Sequence, residues 1–177
     1  MVFLHSGSWK NFAVSICCPY MDKTLNRIFD PLREKYVKLT PEEAVRQLFI
    51  RFLTGQRGYP QSHIASEYVF ELNGMQRRAD IVVFNKELKP VLIVECKAQN
   101  VQLEKPEIAR ETMEQALRYN SVLGVKVLVI TNARNTFALK FKSGNGNGNE
   151  NEKGNRNANG SKYEFLKELP SYEELCA

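Results

Sequence analysis

The sequence predicts a single α/β domain, a mixed sheet flanked by helices. Three observations carry that prediction. Short apolar runs of strand character, Ile81–Phe84, Val91–Val94 and VKVLVITN from Val125, are set between two long amphipathic segments that open at Thr40 and Pro106. A length of 177 residues suits one domain with a sizeable core. The run at Val91–Ala98 is separated from that at Val125–Thr131 by a helical crossover, which favours parallel pairing of the two.

In chain order, FDPLREKYVKLT (29–40) reads as extended, with a turn at Asp30-Pro31. Thr40-Pro41-Glu42-Glu43 is a capping-box pattern with proline at the first helical position. Ala44, Val45, Leu48, Phe49, Phe52 and Leu53 form the apolar face of the helix it opens, and Gly55, Gly58 and Pro60 stop it. HIASEYVFELNG is a strand closed by Asn73-Gly74, a hairpin signal. The next two strands are joined by NKELKP. The second helix starts at Pro106 and ends just before Gly124, with Ala109, Met113, Ala116, Leu117 and Leu123 as its buried stripe. VKVLVITN is apolar enough to be a central strand, TFALKFKS is a fifth, and KYEFLKEL is its hairpin partner. The expected divisions are an arm at 1–27, either disordered or an over-extended start, a core at 28–142, a flexible Gly/Asn-rich loop at 143–160, and a C-terminal strand and tail at 161–177 that pack on the core.

Charge and cysteines narrow the setting. With 25 Lys and Arg against 20 Asp and Glu, the net charge of +5 favours an anionic partner mildly. Cys17, Cys18, Cys96 and Cys176 form no C-x-x-C pair, which argues against a zinc site. A buried Cys96 and two adjacent cysteines imply a reducing, cytoplasmic location. No segment approaches the apolar length of a membrane span, and no cleavage site follows the short apolar run at Phe12–Cys18.

The chemistry concentrates in RRADIVVFNKELKPVLIVECKAQ. In a hairpin centred on NKELKP, residues whose numbers sum to 175 face one another, so Asp80 lies opposite Glu95 with Cβ atoms roughly 5 Å apart. Glu95 and Lys97 share a face, with Val91 and Ile93 behind them. Facing carboxylates repel, and a divalent cation held by hard oxygen ligands relieves the repulsion. A cation with a neighbouring lysine suits phosphodiester hydrolysis. On this arrangement Asp80→Asn is expected to raise metal-free stability. An ordinary solvated strand edge is the alternative, weakened because Glu95 and Lys97 directly follow four apolar residues.

These residues resemble the PD-(D/E)xK nuclease superfamily and, more closely, the small proteins related to the N-terminal nuclease domain of type I restriction enzyme R (HsdR) subunits. The supporting pieces are FDPLREKYVKLTPEEAVRQ, Gly58-Tyr59-Pro60, LNGMQRRADIVVF and VLIVECKA, over roughly residues 28–142 and again at KYEFLKELPSY. The resemblance implies a restriction-endonuclease-like αβββαβ core and a Mg²⁺-dependent DNA endonuclease of restriction, defence or repair type, with Mn²⁺ able to substitute. It makes Asp80, Glu95 and the Cys96 carbonyl metal ligands and Lys97 the residue that positions water or stabilises the transition state. It also implies a site role for Gln115 and Tyr119, matching a Gln-x-x-x-Tyr pair whose spacing places both on one helical face. Glu42, Glu43 and Glu67 are further candidate ligands, although the capping box already accounts for Glu43. Arg77, Arg78, Arg110 and Arg118 are candidate phosphate contacts, and Lys126 is near them in sequence. His5 and His63 have no partners at metal-site spacing. No Walker A motif is present, so any DNA motor or specificity subunit would be a separate partner, and a homodimer is a further possibility. Two other readings stand beside the nuclease: a non-catalytic nucleic-acid-binding or assembly module that retains the fold, and a structural partner associating through a sheet edge or the Gly/Asn-rich loop.

Overall fold

The computed structural model describes residues 21–22, 24–142, 155–156 and 162–177. Residues 1–20, with His5, Cys17 and Cys18, and most of the Gly/Asn-rich stretch lie outside the described residues. Strands β1 (Met21–Asp22), β2 (Arg27–Asp30) and β3 (Lys35–Lys38) make a small antiparallel sheet. Helix α1 (Pro41–Gln56) follows, then β4 (Ile64–Leu72), β5 (Met75–Phe84), β6 (Pro90–Cys96), α2 (Pro106–Leu123), β7 (Val127–Thr131), β8 (Thr136–Phe141), β9 (Asn155–Arg156), β10 (Lys162–Phe165) and α3 (Tyr172–Cys176). From α1 to β7 this is the expected αβββαβ order.

The main sheet has the strand order β4-β5-β6-β7-β8-β10-β9. Among the described strands only the β6–β7 pair is parallel, as a helical crossover favours. Asn73 and Gly74 both have positive φ, 53° and 73°, the conformation of a two-residue hairpin turn between Leu72 and Met75. Gly124 caps α2 at φ 61°, where a residue without Cβ carries no penalty. At the β5–β6 turn, the Asn85 side chain accepts the Glu87 and Lys89 amides.

Two cores sandwich the sheet. On one side Val45, Leu48, Phe49, Phe52 and Leu53 of α1 pack on Ile81, Val83, Leu92, Val94 and Val129. On the other, Ala109, Met113 and Ala116 of α2 pack on Val82, Ile93, Leu128 and Ile130. Each fully buried side chain of this kind contributes about 1.5–3 kcal/mol, so the central strands are the rigid floor of the site. Val91 packs in the α1-side core with Leu92, not behind Glu95 as strict alternation requires, because the β5–β6 register shifts between Val83 and Phe84. Helix α1 is also buried more completely than its apolar face predicts. Arg46, Gln47 and Ile50 are sealed from solvent as well, and the Arg51 guanidinium donates to the Phe29 carbonyl of the small sheet.

Candidate active site

The carboxyl ends of the interior strands β6 and β7 and the middle of β5 meet along one rim of the sheet, the edge formed by strand ends. The β5–β6 ladder pairs Ile81 with Val94, Val82 with Ile93 and Val83 with Leu92, the register expected from the hairpin. The next step differs. Ala79 packs with the α2-side core while Ile81 packs with the α1 side, so alternation breaks between them, at Asp80. The β4–β5 ladder also skips the step at Glu67, which has φ 52°, a strained value for a residue with a side chain. Asp80 therefore turns toward α1 instead of sharing a face with Glu95. Its Oδ2 accepts the Cys96 amide at 2.7 Å, and its Oδ1 lies 2.6 Å from Nη2 of Arg46. Each carboxylate thus has its own cation, which lowers the repulsion a facing pair would suffer.

Glu95 looks the other way, toward α2. It is nearly fully buried, and its Oε1 accepts Lys97 Nζ at 2.9 Å and Gln115 Nε2 at 2.7 Å. Gln115 also touches Tyr119: its Nε2 is 3.3 Å from the phenol oxygen. Its Oε1 accepts Lys97 Nζ at 3.4 Å. Tyr119 is braced edge-on by Phe70. The Gln-x-x-x-Tyr pair thus reaches the Glu-x-Lys strand from α2, as one-face spacing allows.

Burial pushes the Glu95 carboxyl up to about 7, the Asp80 charge adds to the rise, and Lys97 offsets only part of it. Burial pulls the Lys97 ammonium down, but the Glu95 carboxylate outweighs it and holds Lys97 above its ordinary value. Cys96 is completely buried, which raises its thiol well above the usual range, with Asp80 adding to the effect. It is an inert thiol in the core.

A second charge cluster adjoins the first. Arg46 pairs with Glu43 and Asp80 and lies 3.6 Å from Glu67, while Arg33 pairs with Asp30, Glu67 and Glu43. Gln47 donates to Glu43 at 2.9 Å. The Thr40 hydroxyl accepts the Glu43 amide as predicted. The Glu43 carboxylate, however, goes to these arginines and not back to the cap, so the capping box is half formed. Glu43 and Glu67 are consumed by arginines. Glu42 is exposed, and its charge acts on both Glu95 and Lys97. Sequence reasoning did not single out Arg46. Its one signal is a polar Arg46-Gln47 step inside the run Val45, Leu48, Phe49.

The other candidates are scattered. Arg77 is exposed on the part of β5 that precedes Asp80, and Arg78 pairs with Glu67 at 3.0 Å. Arg110 pairs with Glu114 on the open face of α2, and Arg118 is exposed. Lys126 belongs to the opposite edge, where its amide bonds the Val91 carbonyl and its Nζ reaches Leu175. His63 packs against Tyr172, away from the carboxylates.

Residues 41–170 match the family described as the type I restriction enzyme R protein N terminus. The chain belongs to that family. No curated protein matches it. Among solved structures, a fragment described as an HsdR subunit of a type I restriction enzyme from Vibrio vulnificus YJ016 is similar, with 21% identity and a TM-score of 0.48. The similarity covers 76% of this chain and 24% of that one, so this chain spans about a quarter of its solved relative. Within this type I R N-terminal domain, no helix among the described residues is long and apolar enough to cross a membrane.

The donor set at the edge fits a hard divalent cation. Two carboxylates on neighbouring strands offer oxygen, and the buried one, Glu95, keeps an elevated proton affinity because burial, with the Asp80 charge added, outweighs Lys97. Among the described residues no three His, Cys, Asp or Glu side chains converge.

The two carboxylates respond differently to neutralisation. Glu95 has its folded value raised from 4.5 to about 7. Between those values the unfolded chain ionises while the folded one keeps its proton. Stability therefore falls as pH rises through this window, and the full penalty applies above it. Glu95→Gln is expected to raise the metal-free melting temperature by several degrees at pH 8 and to change it little at pH 4. Asp80→Asn is expected to lower it, the reverse of what facing carboxylates predict, because it removes one of the two carboxylates paired with a buried arginine. Thermal melts in chelator at the two pH values check both; a stabilising Asp80→Asn would restore the facing pair.

Proposed function

We propose that this type I R N-terminal domain is a divalent-metal-dependent DNA nuclease that hydrolyses phosphodiester bonds as an endonuclease of a restriction system. The observation that carries this reading is the bonded set of Glu95, Lys97, Gln115 and Tyr119 at the carboxyl end of β6, with Asp80 held to the same strand end through the Cys96 amide. Asp80, Glu95 and the Cys96 carbonyl would hold Mg²⁺ or Mn²⁺, with Glu42 as a further ligand. The bound ion supplies a more acidic water and neutralises charge on the phosphate. Lys97 stays protonated through the physiological range, so it serves as a cation that orients water and stabilises negative charge at phosphorus, not as a base. Gln115 fixes the rotamers of Glu95 and Lys97 by bonding both, and Tyr119 fixes Gln115. DNA is the substrate, and motor and specificity subunits of a type I system are its partners.

Circular and linear DNA incubated with the chain and Mg²⁺ or Mn²⁺, beside Asp80→Ala, test the reading. Cutting of circles by the wild type alone is the expected result. Cutting confined to ends would make it an exonuclease. DNA retained without cutting in any metal would instead indicate a binding module that kept the fold.

A further inference from the structure

A second feature occupies the same sheet edge. The loop after Lys97 and the β7–β8 turn enclose an open cleft of about 400 Å³, walled by Gln99, Asn100, Gln102, Glu104, Arg134 and Asn135. The cleft is built, not incidental. Asn132 is buried, and its side chain ties the two loops together: Nδ2 donates to the Val101 carbonyl at 2.6 Å, and Oδ1 accepts the Arg134 and Asn135 amides at 2.9 and 2.7 Å. Thr131 adds a hold by accepting the Ala133 amide, where φ is 65°. The side chains that line the cleft are mostly exposed. The Glu104 carboxylate accepts from the Asn135 amide at 3.1 Å, whereas the Arg134 guanidinium has no ion-pair partner among the described residues.

We infer that this cleft grips the sugar–phosphate backbone of a DNA strand beside the scissile phosphodiester, an inference that rests on the nuclease reading. Position and chemistry argue for it together. Gln99 stands two residues after Lys97, and Arg134 lies just past Thr131, the β7 partner of Cys96. Because β5 lies on the other side of β6, exposed Arg77 and Arg134 flank the Glu95–Lys97 edge from opposite sides. A strand crossing the edge meets a cation before and after the carboxylates. Amide side chains with a free arginine are the usual donors to phosphate and sugar oxygens, and such contacts set register without reading sequence.

The test uses the full chain with two fluorescent DNA duplexes of unrelated sequence, in chelator, across a salt series, comparing wild type, Arg134→Ala and Lys86→Ala, a lysine in the β5–β6 turn at the far edge. Arg134→Ala is expected to weaken binding about tenfold on both duplexes and to reduce the slope of log affinity against log salt by about 0.9, while Lys86→Ala changes neither. Wild-type affinity and slope in Arg134→Ala overturn the inference, as does a loss on one duplex alone, which marks base reading. Cleavage in Mg²⁺ separates the two readings. A chain that cuts DNA while Arg134→Ala binds like wild type removes the cleft and keeps the nuclease. A chain that binds through Arg134 but cuts nothing keeps the cleft as a DNA site and removes the nuclease, and a wild type that binds neither duplex and cuts nothing in Mg²⁺ removes both.

Discussion

Replacing Arg46 with alanine is expected to cost about 3–5 kcal/mol of folding stability, the range for breaking a buried ion pair from one side. The Arg46 side chain is 7% exposed and carries the nearest positive charge to Asp80 and, with Arg33, to Glu43. Burial opposes its charge, yet Asp80 and Glu43 hold the guanidinium above its ordinary value, so these groups stabilise one another as ions. Removing it takes the guanidinium from Asp80 and leaves the buried Glu43 with Arg33 as its remaining cation. Urea unfolding at neutral pH measures the loss. A loss of less than about 1 kcal/mol, ordinary for a surface pair, would mean that the cluster is solvated and does not hold α1 to β5. Arg46→Lys keeps the charge without the planar fork that spans Asp80 and Glu43, and an intermediate loss is expected. The pair is also expected to couple: Arg46→Ala combined with Asp80→Asn should cost less than the two separate losses added together.

Lys97→Ala is expected to slow cleavage at saturating DNA by about 10²–10³-fold, the usual effect of removing one preorganised charge from a transition state. Its effect on DNA affinity should be slight. The reason lies in where Lys97 points: its ammonium is engaged by Glu95 and Gln115 inside the edge and is about one-fifth exposed, which makes it a poor general grip for DNA. Single-turnover rates and equilibrium binding, measured on the same preparation, separate the two effects. An equal loss of binding and rate would reassign Lys97 as a phosphate anchor and leave the chemistry without its cation.

What the sequence by itself determined was local and periodic. Helix starts at Thr40 and Pro106, the stop at Gly124, the Asn73-Gly74 turn and the four central strands follow from capping, turn chemistry and apolar runs, and all appear in the fold. The β5–β6 register was legible because one slip would turn every buried side chain outward. The i, i+4 spacing of Gln115 and Tyr119 was legible too, and tertiary packing delivers both to Glu95. Only the tertiary structure decided where the charges go. Asp80 leaves its expected face because alternation breaks there, and no residue in that run announces the break. Glu43, Glu67 and Asp80 meet Arg33 and Arg46 across distances of ten or more residues in all but one pairing, from elements that are separate in sequence. Pairwise charge partners depend on which helix lands over which strand, and local propensity carries no information about that. The same holds for the cleft at Arg134, which exists because Asn132 joins two loops about thirty residues apart.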